Sequence, residues 1–279
     1  METAYGAERT RAIDLLNGDP DVSPADARFC IEKSDRVIVH ESAARETVGC
    51  GAFRRWGAER DRADAYLYVR PDARTAGVGK TLLKALTDTP ERRALRFVST
   101  RVETNHAQSV AFFEKAGFTP WYTERILRHA GERPPVSELA FSNYRCEDFA
   151  AYVDAIRRSF YTLRSANDFE PYDCCEPTEA KKNELAQKKD RIYVLRDGDG
   201  IAASVTVEPG AIEDVFVAPA YQGRGIGKQM LRFALNKAID GGAAQIELSA
   251  IEWNQRALRL YESVGFHVAK TIHFLRLFS

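Results

Sequence analysis

The stretch that decides the fold is Val217–Lys228, which reads VAPAYQGRGIGK. A related stretch, VRPDARTAGVGK, occupies Val69–Lys80, 148 residues earlier. The same offset of 148 residues relates Gly265-Phe266 to Gly117-Phe118. A single glycine loop is weak evidence. A loop and a downstream Gly-Phe pair that repeat in register, with strand and helix patterns between them, predict two copies of one domain.

Length and composition agree with a globular protein of two domains. The chain has 279 residues and a formal net charge of zero, so each copy can bury a core and nothing indicates nucleic-acid binding. No apolar run approaches the roughly 20 residues that span a bilayer, and the N-terminus lacks a signal-peptide pattern. We therefore predict a cytoplasmic protein that binds neither nucleic acid nor membrane.

The five cysteines are an odd number without metal-ligand spacing. Adjacent Cys174 and Cys175 have poor geometry for a shared zinc ion or an ordinary disulfide. The cysteines therefore predict free thiols in a reducing compartment and no metal site.

Hydrophobic periodicity and turn signals place the first copy at residues 1–133 and the second at 134–279. In the first copy we predict helix Ala7–Leu16, strands Arg36–His40 and Thr47–Phe53, a charged hairpin loop Arg54–Ala63, strand Ala65–Val69, a helix from the glycine loop to Thr87, strand Leu95–Val102, helix Ala107–Lys115 and short strands Trp121–Tyr122 and Ile126–Arg128. In the second copy we predict strand Leu139–Tyr144, helix Glu147–Phe160, an irregular segment Asn167–Pro177, helix Thr178–Lys188, strands Arg191–Leu195, Ala202–Val207 and Ala211–Val217, a helix from the loop to Asp240, strand Gln245–Ile251, helix Gln255–Val264 and strand Thr271–Leu277.

These elements predict an α+β protein, in which each domain is a mixed twisted sheet flanked by helices in three layers. Strand Leu139–Tyr144 has no counterpart in the first copy. The first copy is therefore expected to lack its first strand, or to have that edge covered by the other domain, because an uncovered edge promotes aggregation.

Each glycine loop joins the end of a strand to the start of a helix. Glycine lets backbone amides approach a ligand closely, since no Cβ intervenes. Successive amides at a helix N-terminus form an anion site that suits a pyrophosphate, and Arg224 and Lys228 can add positive charge. A Walker loop lacks its upstream glycine here, and a dinucleotide fold would carry the loop in its first strand-turn-helix unit. A loop kept for turn geometry alone remains an alternative.

Val-x-Pro is followed by [Gln/Arg]-x-x-Gly-x-Gly, a strand, an Asn and Tyr-x-x-x-Gly-Phe. This combination resembles the GNAT superfamily of acyl-CoA-dependent N-acetyltransferases, and the resemblance covers nearly the whole of both copies. The tandem arrangement is also similar to that of the mycothiol synthases, although no residue here fixes such a substrate. The resemblance implies acetyl-CoA (coenzyme A) as the cofactor.

In the GNAT superfamily the loop amides hold the pyrophosphate of the cofactor. The matching positions are Gln222, Gly223, Arg224, Gly225, Ile226, Gly227 and Lys228 in the second copy, and Arg74, Thr75, Ala76, Gly77, Val78, Gly79 and Lys80 in the first. The family also splays two parallel strands, which implies that Val215, Phe216 and Val217 lie along the acyl arm and supply an oxyanion-binding amide. Asn254, Ala257 and Tyr261 complete the matching pattern on the following helix.

Acetyl transfer requires the amine to lose a proton and the leaving thiolate to gain one. In the family a Tyr on the helix after the fifth strand often donates the second proton, and Tyr261 occupies that position. The first copy has Phe113 there, which cannot donate a proton. Its nearest asparagine, Asn105, is one residue out of register with Asn254.

The candidate bases are Glu213 and Asp214, because a carboxylate on the strand before the loop is common in the family. Glu213 shares strand parity with Val217, whereas Asp214 points to the other face unless a bulge intervenes. The first copy has Ala65 and Tyr66 at the corresponding positions. We therefore expect the second copy to be catalytic and the first to be degenerate, with a structural or cofactor-holding role.

The sequence thus predicts an N-acetyltransferase that transfers an acetyl group from acetyl-CoA to a primary amine of a small molecule or peptide, by direct attack in the C-terminal copy. The alternative is a non-catalytic acyl-CoA-binding regulatory module, with both loops kept for ligand binding. Acidic residues in Asn167–Pro177 favour a cationic amine acceptor, namely Asp168, Glu170, Asp173 and Glu176. The chain is expected to be a monomer or a homodimer.

Overall fold

The computed structural model describes residues 2–19, 22–57, 59–104 and 106–278, so Asn105 lies outside the described residues. The chain divides into two compact units: unit 1 comprises Met1–Trp121 and His273–Ser279, and unit 2 comprises Tyr122–Ile272. Each unit contains a mixed sheet with helices on its faces. The predicted α+β class is therefore confirmed.

Unit 1 contains the first glycine loop. Its helices are α1 (Glu2–Asn17), α2 (Pro24–Glu32), α3 (Val78–Thr87) and α4 (Ala107–Lys115). Its strands are β1 (Arg36–Glu41), β2 (Thr47–Trp56), β3 (Arg62–Val69) and β4 (Phe97–Glu103). Strands β1, β2 and β3 are antiparallel neighbours, and β4 is parallel to β3. Side chains of α3 and α4 share one core with the sheet, and side chains of α1 and α2 share another.

The hairpin of β2 and β3 is longer than the sequence predicts. The prediction of a charged loop at Arg54–Ala63 is wrong, because strand pairing continues as far as Trp56 opposite Arg62. Arg54 Nη2 donates to Asp64 Oδ2 at 2.8 Å, and Trp56 Nε1 donates to Asp64 Oδ1 at 3.0 Å. These cross-strand contacts hold the charged residues in the sheet.

Unit 2 contains the second glycine loop. Its helices are α5 (Phe149–Ala166), α6 (Glu179–Gln187), α7 (Ile226–Asp240) and α8 (Gln255–Glu262). Its strands are β6 (Ser142–Asn143), β7 (Ile192–Asp197), β8 (Gly200–Glu208), β9 (Ala211–Val217) and β10 (Ile246–Ile251), together with most of β5 (Thr119–His129) and the first half of β11 (His267–Phe278). The sheet order in this unit is β5-β10-β9-β8-β7-β6.

Two hydrophobic clusters cover the two faces of the unit 2 sheet. Met230 and Leu231 of α7 pack with Ile212 of β9 on one face. Tyr152 of α5 packs with Phe216 of β9 on the other. Strand β9 therefore lies between two helical layers, with side chains in both.

The compact units do not follow a division of the chain at residue 133. Leu127 of β5 is fully buried in the core of unit 2, and Leu275 of β11 is buried in the core of unit 1. The strand after Gly117-Phe118 thus belongs mostly to unit 2, and the strand after Gly265-Phe266 ends in unit 1. A single boundary along the chain cannot describe a unit that is built from two separate segments. The repeat bounds of 1–133 and 134–279 stay a prediction.

Smaller differences concern element lengths. The two short strands predicted at 121–122 and 126–128 form the single strand β5, and the strand predicted at Leu139–Tyr144 shortens to β6 because the chain turns into a 3-10 helix at Cys146–Asp148. Helix α2 was not predicted. Unit 1 begins, in its described part, with α1, so the expected loss of its first strand stays a prediction. No helix within the described ranges is long and apolar enough to cross a membrane.

Candidate active site

Strands β9 and β10 are neighbours that separate along their length. They pair in parallel at one position, where Glu247 lies opposite Ala211, the first residue of β9. Beyond that pair the strands splay, as the resemblance implies. Ala218 N donates to Ala202 O of β8 at 2.9 Å. Since amides alternate in direction along a strand, the amide of Val217 faces the opposite edge, where β10 has diverged.

A β-bulge lies at Asp214. Thr206 of β8 pairs with Glu213 and Ser204 pairs with Phe216, so two residues of β9 oppose one of β8. Asp214 has a left-handed backbone with φ 47°, which Asp tolerates better than most residues. The extra residue re-aims the side chains around it.

The bulge corrects the predicted parity of Glu213. Directly opposed residues of paired strands share a face, so Glu213 lies with Thr206 and Phe216 on the face of α5 and α6. Val215 and Val217 pack instead on the core of α7 and α8. Glu213 therefore does not share a face with Val217, and both candidate carboxylates lie on the opposite side of β9 from it.

Asp214 lines a cavity of about 240 Å³ between β9, α5 and α6. Tyr152, Phe160 and Cys174 are among its lining residues. Asp214 is open to water through the cavity mouth, but the surrounding side chains displace much of its hydration. Burial therefore raises the pKa of Asp214 above its usual value, and the nearby charge of Lys181 opposes the rise. Glu213 is exposed and does not line the cavity.

Tyr261 lies on α8, on the other side of β9. It is 6% exposed and packs on the same core as Val215 and Val217, with its ring centroid 6.2 Å from that of Phe266. Burial raises the pKa of Tyr261 to about 12. The phenol therefore keeps its proton throughout the neutral range. Its hydroxyl has no hydrogen-bond partner among the residues that the structure describes.

The second glycine loop has the backbone of an anion site. Gly223 and Gly225 have left-handed φ angles of 80° and 78°, which glycine adopts at little cost. A Cβ added at either would meet no atom within 4 Å. Within the described residues, the amides of Gly223–Gly227 donate to no backbone carbonyl. Free amides at the start of α7, facing open space, fit the pyrophosphate of acetyl-CoA.

The other predicted loop residues support this backbone. Gln222 Nε2 donates to Val217 O at 2.9 Å, which ties the loop to β9, and Arg256 Nη1 donates to Gln222 Oε1 at 2.7 Å. Arg224 Nη2 donates to Ala220 O at 2.9 Å. The remaining members are Ile226, partly buried on the core, Gly227, where a Cβ would lie 2.9 Å from Leu260, and Lys228, which is exposed.

Asn254 and Ala257 have a structural contact with each other. Asn254 Oδ1 accepts a hydrogen bond from Ala257 N at 3.2 Å and so caps α8. The cap fixes the start of the helix that carries Tyr261. In unit 1 the corresponding helix, α4, begins after His106, whose side chain makes no capping hydrogen bond. A contact of Asn254 or Ala257 with the cofactor stays a prediction.

The first glycine loop has the same backbone shape. Thr75 and Gly77 have φ angles of 68° and 83°, and Arg74 Nε donates to Val69 O at 3.0 Å, as Gln222 does in the second loop. The other predicted members are Ala76, Gly77 and Lys80, which are exposed, Val78, which is buried, and Gly79, which lies close to Phe112. The structure brings both predicted loops to the starts of helices, α3 and α7.

Thr75 holds the conformation that Gly223 holds in the second loop. A left-handed backbone costs a residue with a Cβ roughly 1–2 kcal/mol. We expect Thr75→Gly to raise the free energy of unfolding of unit 1 by roughly 1 kcal/mol, after allowance for the greater entropy of glycine in the unfolded chain. Urea unfolding measures the change. Thr81→Gly, inside α3, is the control and is expected to destabilise, and a loss of stability in both variants would contradict the assigned strain.

In the described part of unit 1, the position that corresponds to Tyr261 carries no phenol, and the position that corresponds to Asp214 carries no carboxylate. Phe113, the counterpart of Tyr261, is 5% exposed and packs with its ring centroid 5.2 Å from that of Phe118. The pairing of β2 with β3 runs without a register shift, so Asp214 has no counterpart there and Tyr66 takes the place of Glu213. Asp64 accepts hydrogen bonds from Arg54 and Trp56, and Ser99 Oγ also donates to it at 2.7 Å.

The cavity beside Asp214 also contains residues that the sequence analysis did not single out. Tyr152, Ile156, Phe160 and Arg164 all line it from α5. Their spacing of four residues places them on one helical face, and this periodicity is a signal that the sequence contains. Cys174 and Cys175 line it from Asn167–Pro177, the segment expected to shape a pocket.

Two family models match the chain. The model of the Acetyltransferase (GNAT) family matches residues 157–266, and the model of the Acetyltransferase (GNAT) domain matches residues 31–120. The GCN5-related N-acetyltransferase of Sphaerobacter thermophilus has a similar fold, with a TM-score of 0.72 at 18% identity over 98% of this chain and 91% of that one.

Curated relatives match shorter stretches. The thialysine N-epsilon-acetyltransferase of Bos taurus is 39% identical over 54 residues, or 19% of this chain and 32% of that protein. The mycothiol acetyltransferase of Corynebacterium efficiens is 31% identical over 84 residues, or 28% of each protein. The chain thus spans about a third of the length of these relatives. GNAT proteins use acetyl-CoA. Because a GNAT model matches each of the two repeats, the chain belongs to the GNAT acetyltransferase family and carries two such domains in tandem.

Proposed function

We propose that the chain is an N-acetyltransferase that uses acetyl-CoA to acetylate a primary amine of a small molecule or peptide, and that the C-terminal copy performs the reaction by direct attack. The observation that carries the proposal is the position of two proton-carrying groups on opposite faces of β9. Asp214 lines the cavity toward α5, and Tyr261 lies on the core of α8. The strand between them splays from β10.

The backbone amides of unit 2 would bind the cofactor in this proposal. The amides of Gly223–Gly227 would hold the pyrophosphate of acetyl-CoA, with Lys228 adding charge, and the amide of Val217 would orient the acyl arm. Acetyl-CoA supplies an acetyl thioester that an uncharged amine can attack.

Two side chains move protons in this scheme. Asp214 accepts a proton from the ammonium form of the acceptor at its carboxylate, and its raised pKa brings it closer to the pH at which a base works best. Tyr261 holds a proton at its phenolic oxygen and donates it to the leaving sulfur. In the N-terminal copy, Phe113 and the absent bulge support a structural or cofactor-holding role.

The test is amine-dependent product formation. The protein is incubated with acetyl-CoA and a panel of amino acids, polyamines, amino sugars and peptides, and acetylated products are identified by mass spectrometry. Product from at least one amine supports the proposal, which agrees with the acetyltransferase names of the curated relatives. Binding of acetyl-CoA without product from any amine would favour the regulatory module.

Tyr261→Phe is expected to lower kcat by about tenfold to a hundredfold, at or below the low end of the 10²- to 10⁴-fold range for a general acid, since a thiolate leaves readily. Stability is expected to stay nearly constant, because the buried hydroxyl has no partner to lose. Steady-state kinetics and thermal unfolding check both expectations. Tyr193→Phe on β7 is the control, and an unchanged kcat in Tyr261→Phe would show that water protonates the leaving group.

A further inference from the structure

The cavity beside Asp214 is small. Its volume of about 240 Å³ lies below the roughly 300–1,000 Å³ of sites for drug-sized ligands. Ile156, Phe160 and Leu185 are among its lining residues, but most of the surface that faces the cavity is polar. A compact metabolite fits this volume, and a largely polar lining suits one that carries charged groups.

The charged side chains that line this cavity, among the described residues, are Asp214, Arg164 and Lys181. Lys181 Nζ is engaged by both carboxylate oxygens of Glu184, each at 3.0 Å. Arg164 Nε donates to Pro171 O at 2.7 Å, and its terminal amino groups have no partner in the part of the chain that the structure describes. A carboxylate and a guanidinium therefore both remain available to a ligand.

Asp214 and Arg164 do not neutralise each other. No ion pair or hydrogen bond joins their side chains within the described ranges. The two groups therefore act at separate points of one cavity. A ligand that satisfies both must carry a cation and an anion.

The acidic side chains of Asn167–Pro177, which favour a cationic acceptor, do not line the cavity. Asp173 accepts from Arg157 Nη2 at 2.6 Å, and Asp168 accepts from the Tyr172 hydroxyl at 3.2 Å. Neither lines the cavity, and neither do Glu170 and Glu176. The segment therefore gives no reason for a second ammonium group in the ligand.

We infer that the acceptor of the C-terminal copy is a small amine that also carries a carboxylate, such as a free amino acid. The inference rests on the proposed function. Asp214 receives the ammonium group, and the terminal amino groups of Arg164 receive the carboxylate in the two-pronged contact that a guanidinium forms.

Matched pairs of acceptors test the inference. We compare kcat/KM for lysine with that for 1,5-diaminopentane, and for alanine with that for ethylamine, because each pair differs by the carboxylate. The amino acid is expected to be at least tenfold better in one pair. In Arg164→Gln this preference is expected to fall about tenfold or more. Arg158→Gln is the control on the same helix, since Arg158 is exposed and pairs with Asp154 at 3.0 Å.

A binding readout separates failure of the inference from failure of the proposed function. Cys174 is partly buried and lines the cavity, so a bound ligand slows its alkylation by iodoacetamide, followed by peptide mass spectrometry. Protection by lysine but not by 1,5-diaminopentane supports the inference even without turnover. Equal protection and equal kcat/KM within both pairs would overturn it, while leaving amine acetylation intact. Absence of product from every amine counts against the proposed function instead.

Discussion

Asp214→Asn is expected to lower kcat/KM for the amine by about 10²- to 10⁴-fold, the usual range for loss of a general base. The bulge in β9 places this carboxylate in the cavity between β9, α5 and α6, and an asparagine of the same shape cannot accept a proton there. Steady-state kinetics at saturating acetyl-CoA measure the change. Glu213→Gln is the matched control, because Glu213 neighbours Asp214 on the same face but lies outside the cavity. A larger loss in Glu213→Gln would assign the base to Glu213.

The raised pKa of Asp214 gives this prediction a signature in pH and stability. The base works when deprotonated, so kcat/KM of the wild type is expected to fall as the pH falls through the raised value. The folded state also binds this proton more tightly than the unfolded state does, so the carboxylate's contribution to stability is present at low pH and is lost as the pH rises through the folded pKa. Asp214→Asn removes that loss and is expected to be at least as stable as the wild type near neutral pH.

Much of the fold and of the cofactor loop follows from the sequence. Helix α4 and strand β9 have their predicted bounds, and α7 ends at its predicted residue, because hydrophobic periodicity and glycine stops are local signals. The left-handed backbone of Gly223 and Gly225 follows from glycine at those positions. The register between the repeats is also enough to make Phe113 the counterpart of Tyr261.

The acceptor side depends on signals that are not local. Strand parity assigns Glu213 and Asp214 to opposite faces, but the bulge adds one residue opposite β8, and both side chains therefore lie on the same face. Nothing in the residue types fixes a bulge at this point, since it depends on pairing with a neighbouring strand. The exchange of β5 and β11 is equally invisible, because Leu127 and Leu275 fit either core by composition. The acidic residues of Asn167–Pro177 are a further example, since composition does not show that their side chains lie outside the cavity.

Gly225→Ala is expected to weaken acetyl-CoA binding at the C-terminal copy by more than tenfold. Gly225 has φ 78°, and an added methyl group would meet no protein atom within 4 Å, so it would enter the space in front of the free amides. A left-handed alanine also costs roughly 1–2 kcal/mol of stability. Calorimetric titration with acetyl-CoA measures the affinity, and Gly225→Glu, which adds a negative charge beside the pyrophosphate, is expected to abolish binding.

Gly242→Ala separates the two effects of that substitution. Gly242 follows α7, has φ 89° and also has no atom within 4 Å of an added Cβ, so its variant suffers the same backbone strain at a position outside the loop. If both variants lose the same stability but only Gly225→Ala loses affinity for acetyl-CoA, the methyl group of Gly225→Ala displaces the ligand. Equal losses of affinity would show that strain acts through the fold.

Gly77→Ala extends the test to unit 1. A drop in binding stoichiometry from two to one would show that the N-terminal loop also binds acetyl-CoA. An unchanged stoichiometry of one would leave that loop a structural role.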